Sequence, residues 1–337
     1  MTRRPRALVA MSPDTFDQLF DDDRLARLAA LADIPVPVAP TDLADPAGLA
    51  ALSGAEVLVT GWGCPPLTSE VLAHAPELRA VFHAAGTVKD HITQACWRRG
   101  ITVTTAADAN AIPVAEYTVA AVLLAGKRFF EHAARYRAAP GTWSPWRDRV
   151  LAGTRHPRTV GLIGLSRIGR RVAEALRAFD LTVLASDPYA TPADAAALGV
   201  RLTDVDELVA ASTIVSLHAP LLPQTRHLLD RRRLGLLPDG ATVINTARGA
   251  LVDTDALTAE CVTGRLCAVL DVTDPEPLPA ASPLYGLANV TLTPHIAGAL
   301  GGETRRMTDL ALDELDRYRR GVALQHQVHA DELDRIA

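Results

Sequence analysis

The chain has no apolar run approaching the roughly 20 residues that cross a membrane. That excludes a bilayer-spanning reading, and no membrane partner is expected. Its start, Thr2-Arg3-Arg4-Pro5-Arg6, lacks the apolar core of about 7–15 residues that a secretory signal needs. Ala7 to Met11 instead runs straight into Ser12-Pro13-Asp14, so the segment reads as a solvated end followed by a first strand. Positive charge is not in excess either: the net charge is -5 and the pI about 6.1. Without a basic face, nucleic acid is excluded as a partner. Cysteine is sparse. Cys64, Cys96, Cys261 and Cys267 form no C-x-x-C pair and no cluster with histidines, which excludes a zinc site and a disulfide framework. No metal is expected, and free thiols suit a reducing cytoplasm. Low-complexity segments and short repeats are absent as well.

What remains is an ordinary globular composition, 48% hydrophobic, at a length of 337 residues that suits two domains. Short β-branched runs alternate with longer helical stretches, the pattern of parallel sheets with crossover helices. The first half offers strands at 6–11, 56–61, 78–84 and 101–105. A helix is expected over 17–32, and a long apolar one beginning at Pro113, where the missing N–H has no intrahelical partner. Residues 138–158 have no period and carry Trp143 and Trp146, which suits a connecting arm. A second series follows, with strands at 159–165, 181–187, 212–219, 241–247, 267–273 and 290–295. Six parallel strands match a doubly wound dinucleotide-binding sheet.

That series opens with GLIGLSRIGRR, residues 161–171. Gly164 and Gly169 hold the first and third positions of G-x-G-x-x-G, between a strand and a helix. Ser166 replaces the middle glycine, which lets the backbone approach a pyrophosphate; its hydroxyl is placed to donate to a phosphate oxygen. The loop alone is weak evidence. The next strand adds Asp187, 23 residues after Gly164, near the roughly 20 expected for the acid that binds the adenosine ribose. An acid there repels a 2′-phosphate, so the expected cofactor is NAD rather than NADP.

Three further segments carry chemistry. NTARGALVD (245–253) places Arg248 past a strand, where open α/β sheets bind ligands. LDVTDPEPLP (270–279) holds Asp271 and, between two prolines, Glu276. TLTPHIAGA (291–299) closes on His295. Singly, each has a bland alternative: a surface cation, a solvated loop acid, a packed histidine. Together they suit hydride transfer at an alcohol carbon. Imidazole serves as acid and base near neutrality, and a carboxylate on its other nitrogen fixes the tautomer. A guanidinium offers its donor fork to a carboxylate and a neighbouring carbonyl.

In this order the motifs resemble the D-isomer-specific 2-hydroxyacid dehydrogenase family, most strongly from about Asn110 to Ala299. HAAGTVKDHI (83–92), NAIPVAEYTVAAVLLA (110–125) and SLHAPLLPQTRHLL (216–229) add weaker matches. The resemblance implies an α/β fold of two Rossmann-like doubly wound parallel-sheet domains. The cofactor domain (112–299) is inserted into a discontinuous, flavodoxin-like substrate domain (1–111 and 300–337). Helices after Pro113 and near Thr304 would form the hinge of a cleft that closes on substrate.

It also implies roles. His295 is the acid/base, Glu276 orients it, and Arg248 binds the substrate carboxylate and polarises the carbonyl. Backbone amides around Ala85, Gly86 and Thr87 help hold the carboxylate. Asp271 contacts the nicotinamide carboxamide. Arg167 and Ile168 join Gly164, Ser166 and Gly169 on the pyrophosphate turn. His218, Ala219 and Pro220 line the adenosine side and Thr246 and Ala247 the nicotinamide side; Arg248, His295 and Gly298 also contact the cofactor. A 2-hydroxy or 2-oxo acid is the expected small-molecule partner, and a homodimer the expected assembly, with Trp143 and Trp146 as a candidate contact.

Two departures stand out. Ser166 is one. The other is Gly86-Thr87-Val88-Lys89-Asp90, where the family often reads G-V-G-x-D; Val88 takes the second glycine's place, and a shifted substrate pocket is expected. Two alternatives stay open: a non-catalytic NAD-sensing or corepressor protein of this fold, and a phosphite-type dehydrogenase. Glu276, where formate enzymes of this fold usually have Gln, argues against formate.

Overall fold

The computed structural model describes residues 3–35, 38–43, 45–141 and 158–333. Trp143 and Trp146 lie outside them. The chain forms two compact units, residues 1–111 with 299–337, and residues 112–298. Ala299 thus groups with the first unit, one residue earlier than the motifs alone suggest.

In the first unit, strands β1 (Ala7–Ala10), β2 (Val57–Thr60), β3 (Ala80–His83) and β4 (Thr102–Thr105) run parallel in that order. Single parallel bridges from Asp33 to Arg6 and from Pro40 to Val9 add chain on the free side of β1. Most of these strand residues are buried on both faces, as parallel sheets under helices require. Alternation assigns them: Val57 and Val59 pack with Leu28 and Leu312, whereas Leu58 packs with Leu72 and Ile101.

The second unit holds β5 (Arg158–Ile163), β6 (Leu181–Ser186), β7 (Arg201–Leu202), β8 (Ile214–Leu217), β9 (Thr242–Asn245), β10 (Cys267–Leu270) and β11 (Val290–Leu292). Their spatial order is β11-β10-β9-β8-β5-β6-β7, all parallel. The six expected strands are present. Two-residue β7 is the seventh, too short to give an alternation signal. The order reverses between β5 and β8, and that switch point is where such sheets bind ligands. Back in the first unit, a last strand, β12 (Gln327–Val328), pairs antiparallel with β4.

Three sequence expectations need correction. The helix expected over 17–32 is two, Pro13–Leu19 and Asp22–Leu31, because Asp21 turns its side chain to accept from the Arg24 amide and caps the second. The long apolar helix starts at Ala107, with Pro113 inside it. The Thr105 hydroxyl accepts from the Ala107 amide, which starts the helix before proline's first-turn preference applies. That helix also ends at Ala125; Arg128, in the left-handed region at φ 49°, separates it from Phe129–Ala138. All four cysteines are free and buried. Among the described residues, no single helix is long and apolar enough to cross a membrane.

Candidate functional site

In the second unit the singled-out residues gather at the carboxyl ends of the strands. Gly164 follows β5, Asp187 follows β6, His218 to Pro220 follow β8, Thr246 to Arg248 follow β9, Asp271 follows β10, and His295 lies past β11. Gly298 ends that last loop.

The turn after β5 has the backbone that a diphosphate needs. Gly164 sits at φ 98°, and a Cβ there would stand 2.6 Å from the Ala219 amide nitrogen. On Gly169 a Cβ would lie 2.1 Å from the Gly164 carbonyl oxygen, so the helix Arg167–Leu176 packs on the strand through that glycine. Helices at Pro192, Val205, Arg231 and Thr254 in this unit each have a side-chain cap. The helix starting at Arg167 has none, which leaves its first-turn amides for an anion. Asp187 stands beside the turn, accepting from the Leu165 amide at 2.6 Å and the Tyr189 amide at 2.8 Å. These residues fit a dinucleotide. Ser166 is different from expectation: its hydroxyl donates to the His218 carbonyl at 2.9 Å, so its proton ties two loops together instead of pointing to a phosphate. The His218 ring is buried against Ser216, and burial pushes its pKa down to about 4, so it brings no cation to the turn.

At the other side of the sheet, His295 Nδ1 meets Glu276 Oε1 at 2.8 Å. A carboxylate only accepts, so the proton sits on Nδ1 and Nε2 is left for other partners. The His295 side chain is 54% exposed and that of Glu276 42%. His295 adopts φ 54°, a conformation few side chains take. Asp271 holds it there. The His295 amide donates to the Asp271 carbonyl at 2.9 Å. The buried Asp271 carboxylate accepts from the Ile296 amide, the Ala297 amide and the Thr293 hydroxyl, at 2.8, 2.9 and 2.7 Å. With its one proton spent on Asp271, Thr293 must accept from Tyr117, 2.8 Å away. Three bonds leave one acceptor position on the carboxylate, which is compatible with a carboxamide contact.

Arg248 is shaped from below. Buried Asn245 donates to the Arg248 carbonyl at 2.9 Å and accepts from the Ala247 amide at 3.1 Å. A Cβ on Gly249 would lie 2.0 Å from the Thr273 carbonyl, so the loop of Arg248 nests against the segment leading to Glu276. Thr246 shares a hydrogen bond with Thr118 at 3.0 Å. Sequence reasoning missed Asn245, Thr293 and Tyr117. Their one available signal is a polar residue beside a site residue at the end of an apolar strand.

The first unit contains the loop after β3. Thr105 donates to the Ala85 carbonyl at 3.1 Å and also to that of Gly86, while the Ala106 amide donates to Ala85 at 3.0 Å. The amides of Ala85, Gly86 and Thr87 meet no acceptor among the described residues. Val88 corrects another expectation. It is 1% exposed and packs with Leu67 and Ile92 in the apolar layer, so its side chain does not line a substrate pocket.

A family model described as the NAD binding domain of D-isomer specific 2-hydroxyacid dehydrogenases matches residues 119–297. The D-3-phosphoglycerate dehydrogenase of Mycobacterium tuberculosis is 37% identical over 267 residues, 78% of this chain and 49% of that protein. The chain therefore spans about half the length of such relatives. A glyoxylate reductase of Thermofilum pendens is 37% identical over 254 residues, 74% of each protein. Among solved structures, the TT0316 protein of Thermus thermophilus superposes with a TM-score of 0.75 at 32% identity, covering 96% of this chain and 100% of that one.

Proposed function

The chain belongs to the D-isomer-specific 2-hydroxyacid dehydrogenase family, and from that premise we propose that it interconverts a D-2-hydroxy acid and its 2-oxo acid with NAD(H). The observation that carries this reading is the 2.8 Å pair of His295 and Glu276 at the carboxyl edge of an NAD-binding sheet. NADH, when bound, supplies the hydride that reduces the 2-oxo carbon. The residues of the chain handle everything else. In reduction His295 gives its Nε2 proton to the carbonyl oxygen; in oxidation the bare Nε2 takes the hydroxyl proton. Glu276 keeps the proton on Nδ1 in both directions and stabilises the imidazolium. Arg248 binds the substrate carboxylate and polarises the carbonyl with its donor fork. The unpaired amides of Ala85, Gly86 and Thr87 take the carboxylate as well.

The turn from Gly164 to Gly169 holds the diphosphate, Asp187 the adenosine ribose, and His218, Ala219 and Pro220 the adenosine side. Thr246, Ala247 and the remaining acceptor position of Asp271 serve the nicotinamide. The same reading includes a cytoplasmic homodimer; four free, buried thiols suit a reducing compartment. The test is a steady-state screen of 2-oxo acids, phosphorylated ones included, with NADH absorbance as readout. Turnover on at least one acid is expected. No turnover on any, with NADH still bound, would reduce the protein to a dinucleotide-binding module.

A further inference from the structure

Beneath the loop after β3 lies a group of side chains that the proposed mechanism does not use. His83 closes β3, His91 follows the loop, and Thr60 closes neighbouring β2. All three are buried: His83 is 2% exposed, His91 3% and Thr60 0%. The two rings lie 4.4 Å apart, centroid to centroid. The Thr60 hydroxyl sits 2.9 Å from His83 Nδ1 and 3.3 Å from His91 Nε2.

The protons can be placed one by one. The backbone of Thr87 lies against His83 in a way that favours the protonated ring. A backbone group that does so is a carbonyl, so the ring's N–H faces Thr87. With Nδ1 against Thr60, that donor is Nε2. A neutral His83 then offers Nδ1 as an acceptor, and Thr60 donates to it. The Thr60 oxygen in turn accepts from His91 Nε2–H. Every hydrogen in the chain His91–Thr60–His83–Thr87 is thus assigned with both rings neutral. A further proton on His83 would go to Nδ1 and put two hydrogens on its contact with Thr60. Desolvation acts in the same sense: it holds His91 at about 4, against the pull of nearby Asp90, and His83 well below the usual imidazole value, with His91 adding to the shift.

The far end of this chain is a residue of the carboxylate loop. Thr105 and Ala106 hold the loop's carbonyls at Ala85 and Gly86 from one side. His83, tied to Thr60, fixes the entry to the loop, and His91 fixes the exit, its carbonyl accepting from the Leu67 amide at 2.8 Å. We propose that His83 and His91, coupled through the Thr60 hydroxyl, are positioning residues that hold residues 84–90 so that the amides of Ala85, Gly86 and Thr87 stay unpaired for a substrate carboxylate. This rests on the reading that the loop receives the carboxylate of a 2-oxo acid.

Two measurements on the full chain test it. The first is native-state hydrogen exchange of the loop's hydrogen-bonded amides, those of Ala84, Lys89, His91 and Ile92, which needs no substrate. His83→Leu should speed their exchange by about tenfold, the effect of leaving one buried partner unpaired, while the amides of the second unit are unchanged. The second is steady-state kinetics with an accepted 2-oxo acid. His83→Leu should raise KM by about tenfold with kcat within about threefold, and His83→Gln, whose amide can still donate to Thr87, should restore most of the loss. Thr60→Val, nearly equal in volume, serves if His83→Leu does not fold; it removes the shared hydroxyl and should move both readouts the same way. Unchanged loop exchange, or an unchanged KM in an enzyme that turns over, overturns the inference and leaves the proposed reaction intact. Faster loop exchange in a protein that reduces no 2-oxo acid supports the loop's anchoring and overturns the reaction instead.

Discussion

Two histidine sites, one in each unit, use the ring in opposite ways. In the second, His295 is half exposed and paired with a carboxylate at 2.8 Å. In the first, His83 and His91 are buried and share a hydroxyl. An imidazole beside a carboxylate, open to solvent on its other nitrogen, exchanges a proton readily. An imidazole without a charged hydrogen-bond partner, away from water, keeps one protonation state and serves as a shaped donor and acceptor. Environment separates a group that reacts from a group that positions.

The largest effect that would break this contrast is on turnover. His295→Ala should lower kcat by about 10²–10⁴-fold, the usual worth of a positioned acid/base, with NADH affinity retained by fluorescence titration. Arg248→Ala should mainly raise KM and also lower kcat, because the guanidinium meets both carboxylate and carbonyl. A His295→Ala enzyme at near wild-type rate would abolish the distinction between the two kinds of histidine.

Next comes acid stability. The buried histidines have folded pKa values below the ordinary 6.5, with His91 and His218 at about 4 and His83 also well below 6.5. The unfolded chain takes up protons that the folded chain refuses. Stability from these groups is therefore whole above pH 6.5 and falls as pH drops to about 4. The slope is about 1.4 kcal/mol per pH unit for each group. Asp206 and Asp194, whose carboxyls are lowered from 3.8, lose their contribution at still lower pH, so the windows separate. Urea unfolding at pH 7 and pH 5, followed by hydrogen exchange in each unit, should show the first unit losing more, since it holds two fully buried rings, whereas the second holds His218 and the only partly buried, less strongly lowered His132. His91→Asn should flatten that unit's slope; an unchanged slope would contradict burial as the cause.

The same contrast explains what could be read from the chain alone. His295, Glu276 and Arg248 sit in short motifs past strands, and motif spacing survives without a structure. Strands that are apolar on both faces announced themselves, as did the turn of Gly164 and Gly169. His83 and His91 carry no such signal: their meaning comes from Thr60, which is 23 residues away from His83 and joins it only when β2 pairs with β3. Val88 misled for a related reason. A change of residue type in a loop suggests a changed pocket, but side-chain direction is set by packing, and Val88 points inward. Asp21 ended a helix by a local cap that periodicity does not register.

Cofactor choice gives a smaller effect. Asp187 offers the ribose an acceptor and a 2′-phosphate a repulsion, so kcat/KM with NADH should exceed that with NADPH by at least about tenfold. Equal values would remove Asp187 from the cofactor site.

The smallest expected effect concerns Ser166, where sequence and structure part company most instructively. Its place in the glycine turn suggests a hydroxyl aimed at a diphosphate. Its proton is instead held by the His218 carbonyl across the switch point of the sheet. A group already satisfied inside the protein adds little to a ligand. Ser166→Gly would remove that tie and free the turn's backbone, two effects of opposite sign on binding: lost order and lost crowding at the diphosphate. NADH affinity should change by less than about threefold, within the net worth of one neutral hydrogen bond. A loss of about tenfold or more, measured by titration, would mean that the hydroxyl turns from His218 to the diphosphate when NADH binds.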